Sequence, residues 1–145
     1  MVKLNVIAGY SGTPLVRKLG IKSAFNVVIL DAPKNFLREL NLPADVTVNA
    51  SRRKPVDCAL LFVKTEKELL KQFGKLTRRL KPAGMLWVAW PKKSSGVETD
   101  LSFSNVQAIG LGSGLVDTKI CAINETWSGL KFVFRLKDRD DVLRL

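Results

Sequence analysis

The sequence predicts an α/β domain built on a mostly parallel β-sheet. Three observations predict it. Apolar runs rich in β-branched residues recur at Phe25–Leu30, Val56–Val63 and Met85–Trp90, each of a length suited to a buried strand. Segments with helical spacing and capping signals separate them, so the strands are joined by right-handed crossovers and lie parallel. Two further runs, Leu115–Ile123 and Leu130–Arg135, close the chain near enough together to pair as an antiparallel hairpin.

The elements follow in order. Val2–Ala8 is a short apolar lead of strand character, and Gly9-Tyr10-Ser11-Gly12 breaks it. Thr13-Pro14 reads as a helix cap followed by proline at the first helical position, where its missing N–H costs nothing. A short helix over Leu15–Leu19 follows, stopped by Gly20. The strand Phe25–Leu30 ends at Asp31-Ala32-Pro33, a helix runs over Asn35–Leu40, and Pro43 closes it before a brief edge strand at Val46–Val48. After the basic loop Ser51–Pro55 comes the strand Val56–Val63, and Thr65 with Glu68 forms a capping box for the longest helix, Glu66–Leu80. Leu69, Leu70, Phe73, Leu76 and Leu80 make its apolar stripe. Lys81–Gly84 turns the chain into Met85–Trp90, and Pro91–Gly96 is a polar loop. A helix over Ser102–Ile109, the strand Leu115–Ile123, a turn at Asn124–Gly129 and the strand Leu130–Arg135 complete the order, with a charged tail after Leu136.

The chain has 145 residues, 46% hydrophobic and 26% charged, which fits one domain over residues 1–145 with a real core. At this size a chain buries roughly two thirds of its unfolded surface and needs no metal or disulfide to hold it. The two cysteines, Cys58 and Cys121, sit inside apolar runs and read as free thiols of a reducing compartment. No signal-peptide pattern is visible, and the apolar runs Ala59–Val63 and Met85–Trp90 are too short to span a bilayer. A cytoplasmic protein is expected, without membrane contact.

There is no histidine. Its absence removes Ser-His-Asp and Cys-His nucleophile pairs and every His-ligated metal site, and no metal is expected. Any catalysis would rest on Asp, Glu, Lys, Tyr or a cofactor, and no catalytic residue is assigned. The net charge of +11, from 24 Lys and Arg against 13 Asp and Glu, attracts anions or simply coats solvated faces.

In a parallel sheet, ligands sit in the crevice beyond the carboxyl ends of the strands. Asp31 and Lys64, the loop Lys92-Lys93-Ser94-Ser95-Gly96 and the turn carrying Glu125 and Trp127 all fall at that edge. The Lys-Lys-Ser-Ser-Gly loop combines two cations, two hydroxyls and a flexible glycine suited to a phosphate or carboxylate, or is a solvated loop. Tyr10, Ser11 and Gly12 feed a helix start, a place where free N–H groups meet anions, or form a capped turn. Tyr10, Trp90 and Trp127 can stack on a planar ligand or plug the end of a core. Asp31, Asp100 and Glu125 are carboxylates for a general base or for ion pairs.

Leu80-Lys81-Pro82-Ala83-Gly84-Met85-Leu86-Trp87-Val88 resembles the L-K-P-G-G-x-L-x-V approach to the fifth strand of class I S-adenosylmethionine-dependent methyltransferases. Val56-Asp57-Cys58-Ala59-Leu60-Leu61 is similar to their fourth strand. The resemblance implies a Rossmann-like, three-layer fold of methyltransferase topology. It also sets an expectation against S-adenosylmethionine, because the turn Asp31-Ala32-Pro33 lacks the family's glycines and Val46–Val48 leads into Asn49 with no acidic residue. Gly9–Leu15, Leu86–Lys93 and Glu125–Leu130 together resemble a family of small bacterial proteins known as a domain of unknown function, which implies no activity.

Three functions follow as expectations. The first is a non-catalytic domain binding a small anionic or nucleotide-like ligand through Lys92–Gly96 with Glu125 and Trp127 nearby. The second is a nucleic-acid-binding protein using Arg52, Arg53, Lys54, Arg78, Arg79 and Lys81. The third is an atypical S-adenosylmethionine-dependent methyltransferase.

Overall fold

The computed structural model describes residues 13–51 and 53–140. The lead Val2–Ala8, the Gly9–Gly12 turn with Tyr10, Ser11 and Gly12, and Arg52 lie outside them. The elements are α1 (Leu15–Lys18), β1 (Asn26–Leu30), α2 (Phe36–Leu40), β2 (Thr47–Val48), β3 (Val56–Phe62), α3 (Glu66–Thr77), β4 (Leu80–Pro91), α4 (Phe103–Gly112), β5 (Leu115–Ala122) and β6 (Trp127–Phe134). Short 3-10 turns follow β4 at Lys93–Ser95 and β6 at Leu136–Asp138.

One six-stranded sheet runs in the order β2-β1-β3-β4-β6-β5. The pairs β1–β2, β1–β3 and β3–β4 are parallel, whereas β6 is antiparallel to both β4 and β5. The closing hairpin therefore does not sit at the end of the sheet in chain order. Its second strand inserts beside β4 and leaves β5 on the edge. This is the mostly parallel, three-layer α/β architecture with a C-terminal hairpin that the alternating runs predict.

Strand alternation builds the layers. Val27, Ile29, Cys58, Leu60, Phe62, Trp87 and Ala89 face one core with Leu19, Phe36 and Leu40. Val28, Ala59, Leu61, Leu86 and Val88 face the other, beneath Leu69, Phe73 and Leu76 of α3 and Val106 of α4. Successive residues point to opposite faces of a strand, so a run apolar at every position has both faces covered. The indole N–H of Trp87, fully buried, donates to the Leu19 carbonyl at 3.0 Å and fixes the end of α1 against β4.

The structure corrects several boundaries. Pro14, not Thr13, is the N-cap of α1, and its carbonyl accepts the Arg17 and Lys18 N–H groups. Leu70 is 59% exposed, since it lies one residue off the stripe that Leu69 and Phe73 bury. Leu80 belongs to β4 and pairs with Val56. Lys81–Gly84 is a bulge within β4 rather than a turn before it, because the register passes from Val56↔Leu80 to Cys58↔Met85. At Gly84 a Cβ would lie 2.9 Å from the Val56 carbonyl, so only glycine permits this approach. Residues Trp127–Gly129 lie in β6, not in the turn. The N-cap of α4 is Ser102, in a reciprocal capping box with Asn105. No helix among the described residues is long and apolar enough to cross a membrane.

Candidate functional site

The carboxyl ends of β1, β3 and β4 meet the start of β6 around a cleft of about 460 Å3. Asp31, Ala32 and Pro33 bound it beyond β1, and Phe62, Val63, Lys64 and Glu68 bound it beyond β3. Val97 from the loop after β4, with Thr126 and Trp127 from the hairpin, completes the lining. The size is that of a site for a small organic ligand, and the position is the crevice where such sheets bind theirs.

Each wall has a local cause. Asp31 terminates β1 with φ of +59°, a left-handed conformation that aspartate tolerates better than most residues. That turn swings Ala32 and Pro33 away from the strand and leaves room at its end. Phe62 and Trp127 pack edge to face with ring centroids 5.0 Å apart, and Phe36 packs the same way on Phe62 at 4.9 Å. Trp127 is only 7% exposed, so it serves as floor more than as rim. The turn before it is tied by Asn124, whose side-chain oxygen accepts the N–H groups of Thr126 and Trp127, each at 2.9 Å.

The loop bearing Val97 is stitched to the end of β3. The Thr99 hydroxyl donates to the Lys64 carbonyl at 2.6 Å, and the Asp100 carboxylate accepts the Glu66 N–H at 2.8 Å. At the start of α3 the Thr65 hydroxyl accepts the Glu68 N–H at 3.1 Å. The Glu68 carboxylate accepts from that hydroxyl rather than from the Thr65 backbone, so the expected capping box is only half formed. Asp31, Lys64 and Glu68 are all exposed, placing two carboxylates and one cation at the mouth above an apolar floor.

Of the residues singled out from sequence, Asp31 and Trp127 line the cleft. Glu125 is exposed on the turn before Trp127 and is not among the lining residues. Lys93, Ser94 and Gly96 are exposed, and Gly96 has φ of +75°. The Ser95 hydroxyl donates to the Lys92 carbonyl at 2.6 Å and accepts the Val97 N–H at 3.2 Å, so it holds the turn that delivers Val97. The Lys92 N–H donates to the Thr126 carbonyl at 2.8 Å, joining that turn to the hairpin. Lys64, expected at the end of its strand on this edge, lines the cleft as well, whereas the lining contributions of Phe62, Val63, Glu68, Val97 and Thr126 were not expected; the sequence signal for Phe62 and Val63 was their place at the end of β3. Asp31, Asp100 and Glu125 form no ion pair with another described residue; the one pair among the described residues is Lys81–Asp57 at 2.9 Å.

The sequence departs from the methyltransferase pattern at Asn49 as well. Asn49 follows β2 with φ of +52°, and its amide makes two bonds to the Ile29 backbone, accepting at 2.8 Å and donating at 3.1 Å. It is a clamp between strands, filling the place where an acidic residue was expected.

No protein-family model matches the chain, and no curated protein matches it in sequence. The resemblance to a bacterial domain family therefore rests on its three motifs alone. Solved structures do match. One is a SAM-dependent methyltransferase from Aquifex aeolicus, with TM-score 0.59 and 16% identity over 81% of this chain and 86% of that one. A precorrin-6y C5,15-methyltransferase from Geobacter metallireducens has TM-score 0.57 and 8% identity, covering 83% and 86%. A magnesium protoporphyrin IX methyltransferase from Synechocystis with bound SAH has TM-score 0.56 and 8% identity, covering 83% and 78%.

The fold is methyltransferase-like.

These neighbours overturn the expectation set against S-adenosylmethionine, because proteins of this fold include one that depends on it and one that holds its demethylated product. The expectation rested on missing glycines. In the turn without glycine, Asp31 takes a left-handed φ of +59° and the cleft lies open beside it.

Proposed function

We propose that the cleft binds S-adenosylmethionine and that the protein is an atypical methyltransferase. The observation that carries this reading is the cleft itself: a methyltransferase-like sheet opens at its carboxyl edge into about 460 Å3 bounded by the Asp31 turn. The donor set suits a zwitterionic nucleoside. Asp31 and Glu68 offer carboxylates to hydroxyl and ammonium groups, and Lys64 offers a cation to a carboxylate. Val97 and the Phe62–Trp127 pair present apolar surface. With Asn49 engaged by β1, hydroxyl recognition falls to Asp31 and Glu68. The bound cofactor would supply an electrophilic methyl group; the chain's own residues would orient it and exclude water. The small-anion reading, built on Lys92–Gly96, gains nothing from the lining of the cleft. Both cysteines are free, which supports a reducing compartment.

Thermal unfolding with S-adenosylhomocysteine tests the reading. Ligand at about 100 times its dissociation constant stabilises by about 2.7 kcal/mol, a rise of roughly 5–10 °C at this size. Asp31→Ala and Lys64→Ala should each shrink that rise by more than half. Millimolar ligand with no shift overturns the proposal.

A further inference from the structure

The opposite edge of the sheet has a different character. There the loop before β3 and the junction of α3 with β4, more than twenty residues apart in sequence, are drawn together. The Val56 N–H donates to the Arg79 carbonyl at 2.8 Å, and Arg79 Nη2 donates to the Ser51 carbonyl at 3.3 Å. Arg53, Lys54, Arg78 and Lys81 are exposed on these two segments. Asp57 is the acid nearest in sequence, and it is already engaged. It pairs with Lys81 at 2.9 Å and accepts the Asn26 N–H at 2.7 Å.

From this convergence we infer that the amino-terminal edge of the sheet is a docking surface for the phosphodiester backbone of a nucleic acid. Arg53 and Arg78 are half of these exposed cations, and the planar fork of donors on arginine matches phosphate oxygens better than a lysine ammonium does. Neither segment carries an exposed large apolar side chain. A membrane-inserting surface or a stable protein interface would need one. No aromatic residue lies on either segment, so bases gain no stacking platform and contact is to the backbone. Such contact positions a strand without reading its sequence. The surface lies on the order of 20 Å from the cleft, the length of the seven residues of β3, and its occupancy does not depend on what the cleft binds.

Fluorescence anisotropy with a labelled 20-nucleotide single-stranded RNA, the matching DNA and their duplexes tests this. With about four phosphates neutralised, affinity for a single strand should fall roughly 50-fold between 50 and 200 mM salt. Arg53→Glu with Lys54→Glu, and separately Arg78→Glu, should weaken binding at least tenfold and flatten the salt dependence. Lys67→Glu with Lys71→Glu, the same charge change on the exposed face of α3, should alter affinity less than twofold. Comparison of the RNA and DNA arms identifies which polymer is preferred. The inference is overturned by no binding at 50 mM salt, by equal losses in the α3 control, or by binding to anionic vesicles in place of nucleic acid. The S-adenosylhomocysteine shift is unchanged in these variants, which separates this result from that of the cleft.

Discussion

The two ends of the same parallel strands are built differently. At the amino-terminal edge the chain closes on itself. Asn26 bonds to Asp57 and to the Pro55 carbonyl, Arg79 bonds to Ser51, and Lys81 pairs with Asp57. These bonds draw the loops flat across the strand ends and turn cations outward. At the carboxyl edge the connections diverge instead. Asp31 turns β1 aside in a left-handed conformation, and the loop to α4 anchors through Thr99 and Asp100 on Lys64 and Glu66, leaving a cleft between them. The difference teaches that concavity in this fold comes from where loops are tethered. The strands themselves offer both ends equally.

Removing a tether at each end should break that contrast most strongly. Trp127→Ala deletes the floor of the cleft and its contact with Phe62, and should cost about 3–5 kcal/mol in urea unfolding and abolish the S-adenosylhomocysteine shift. Gly84→Ala at the other edge forces a Cβ to 2.9 Å from the Val56 carbonyl. Because that neighbour is backbone and cannot swing away, a loss of about 1–3 kcal/mol is expected, with the ligand shift retained. Equal loss of ligand binding in both variants would show that the two edges are not independent.

Much of this was legible from residues alone, and the failures have identifiable causes. Strands β1 and β3 fall within one residue of the runs that predict them, because the two cores demand apolar side chains at consecutive positions over Val27–Ile29 and Cys58–Phe62. Leu80 continued the helical spacing of Leu76, and only its pairing with Val56 assigns it to β4. Gly129 read as a turn residue. It pairs with Ala89 and Cys121 within β6, where Ile123 and Trp87 leave no room for a Cβ, at 2.7 and 3.2 Å. In the cleft, Asp31 was legible as the end of a strand, whereas Val97 was not. Its position depends on Thr99 reaching Lys64 across 35 residues, a contact no local pattern announces.

Between the two edges lies Cys58, fully buried in β3, which reports on the strands rather than on either end. Burial, with the Asp57 carboxylate adding to it, pushes its thiol from 9.0 up to about 12. A folded value above the unfolded one gives stability that is complete below pH 9 and is lost as pH rises from 9 toward 12. The slope from this single group is about 1.4 kcal/mol per pH unit. Cys58→Ala should remove that part of the alkaline decline, measured as the difference between the two proteins in urea titrations at pH 8 and pH 10.5. Parallel curves would show that the centre of β3 opens to solvent as readily as its ends. Cys121, half-buried and also raised chiefly by burial, should react with iodoacetamide at pH 8 well before Cys58 does.

The smallest effects distinguish the edges most finely. Asp100→Ala removes the carboxylate that accepts the Glu66 N–H at the start of α3 and frees the loop that carries Val97. Loss of such a cap costs about 1 kcal/mol and should also weaken S-adenosylhomocysteine binding, because the wall of the cleft loosens with it. Lys81→Ala removes an ion pair whose lysine side chain is 47% exposed, and an exposed pair contributes under about 0.5 kcal/mol. Asp57 still holds the Asn26 N–H in that variant, so the loop stays in place. Salt tells the two apart: at 1 M the Debye length falls to about 3 Å, and the Lys81 effect should vanish while the Asp100 effect persists. Urea unfolding at both ionic strengths measures this. A Lys81 effect that exceeds the Asp100 effect and survives high salt would mean that the amino-terminal edge is held by its charges. The backbone bonds Val56–Arg79 and Ser51–Arg79 would then be consequences of that ion pair rather than the reason the basic loops lie together.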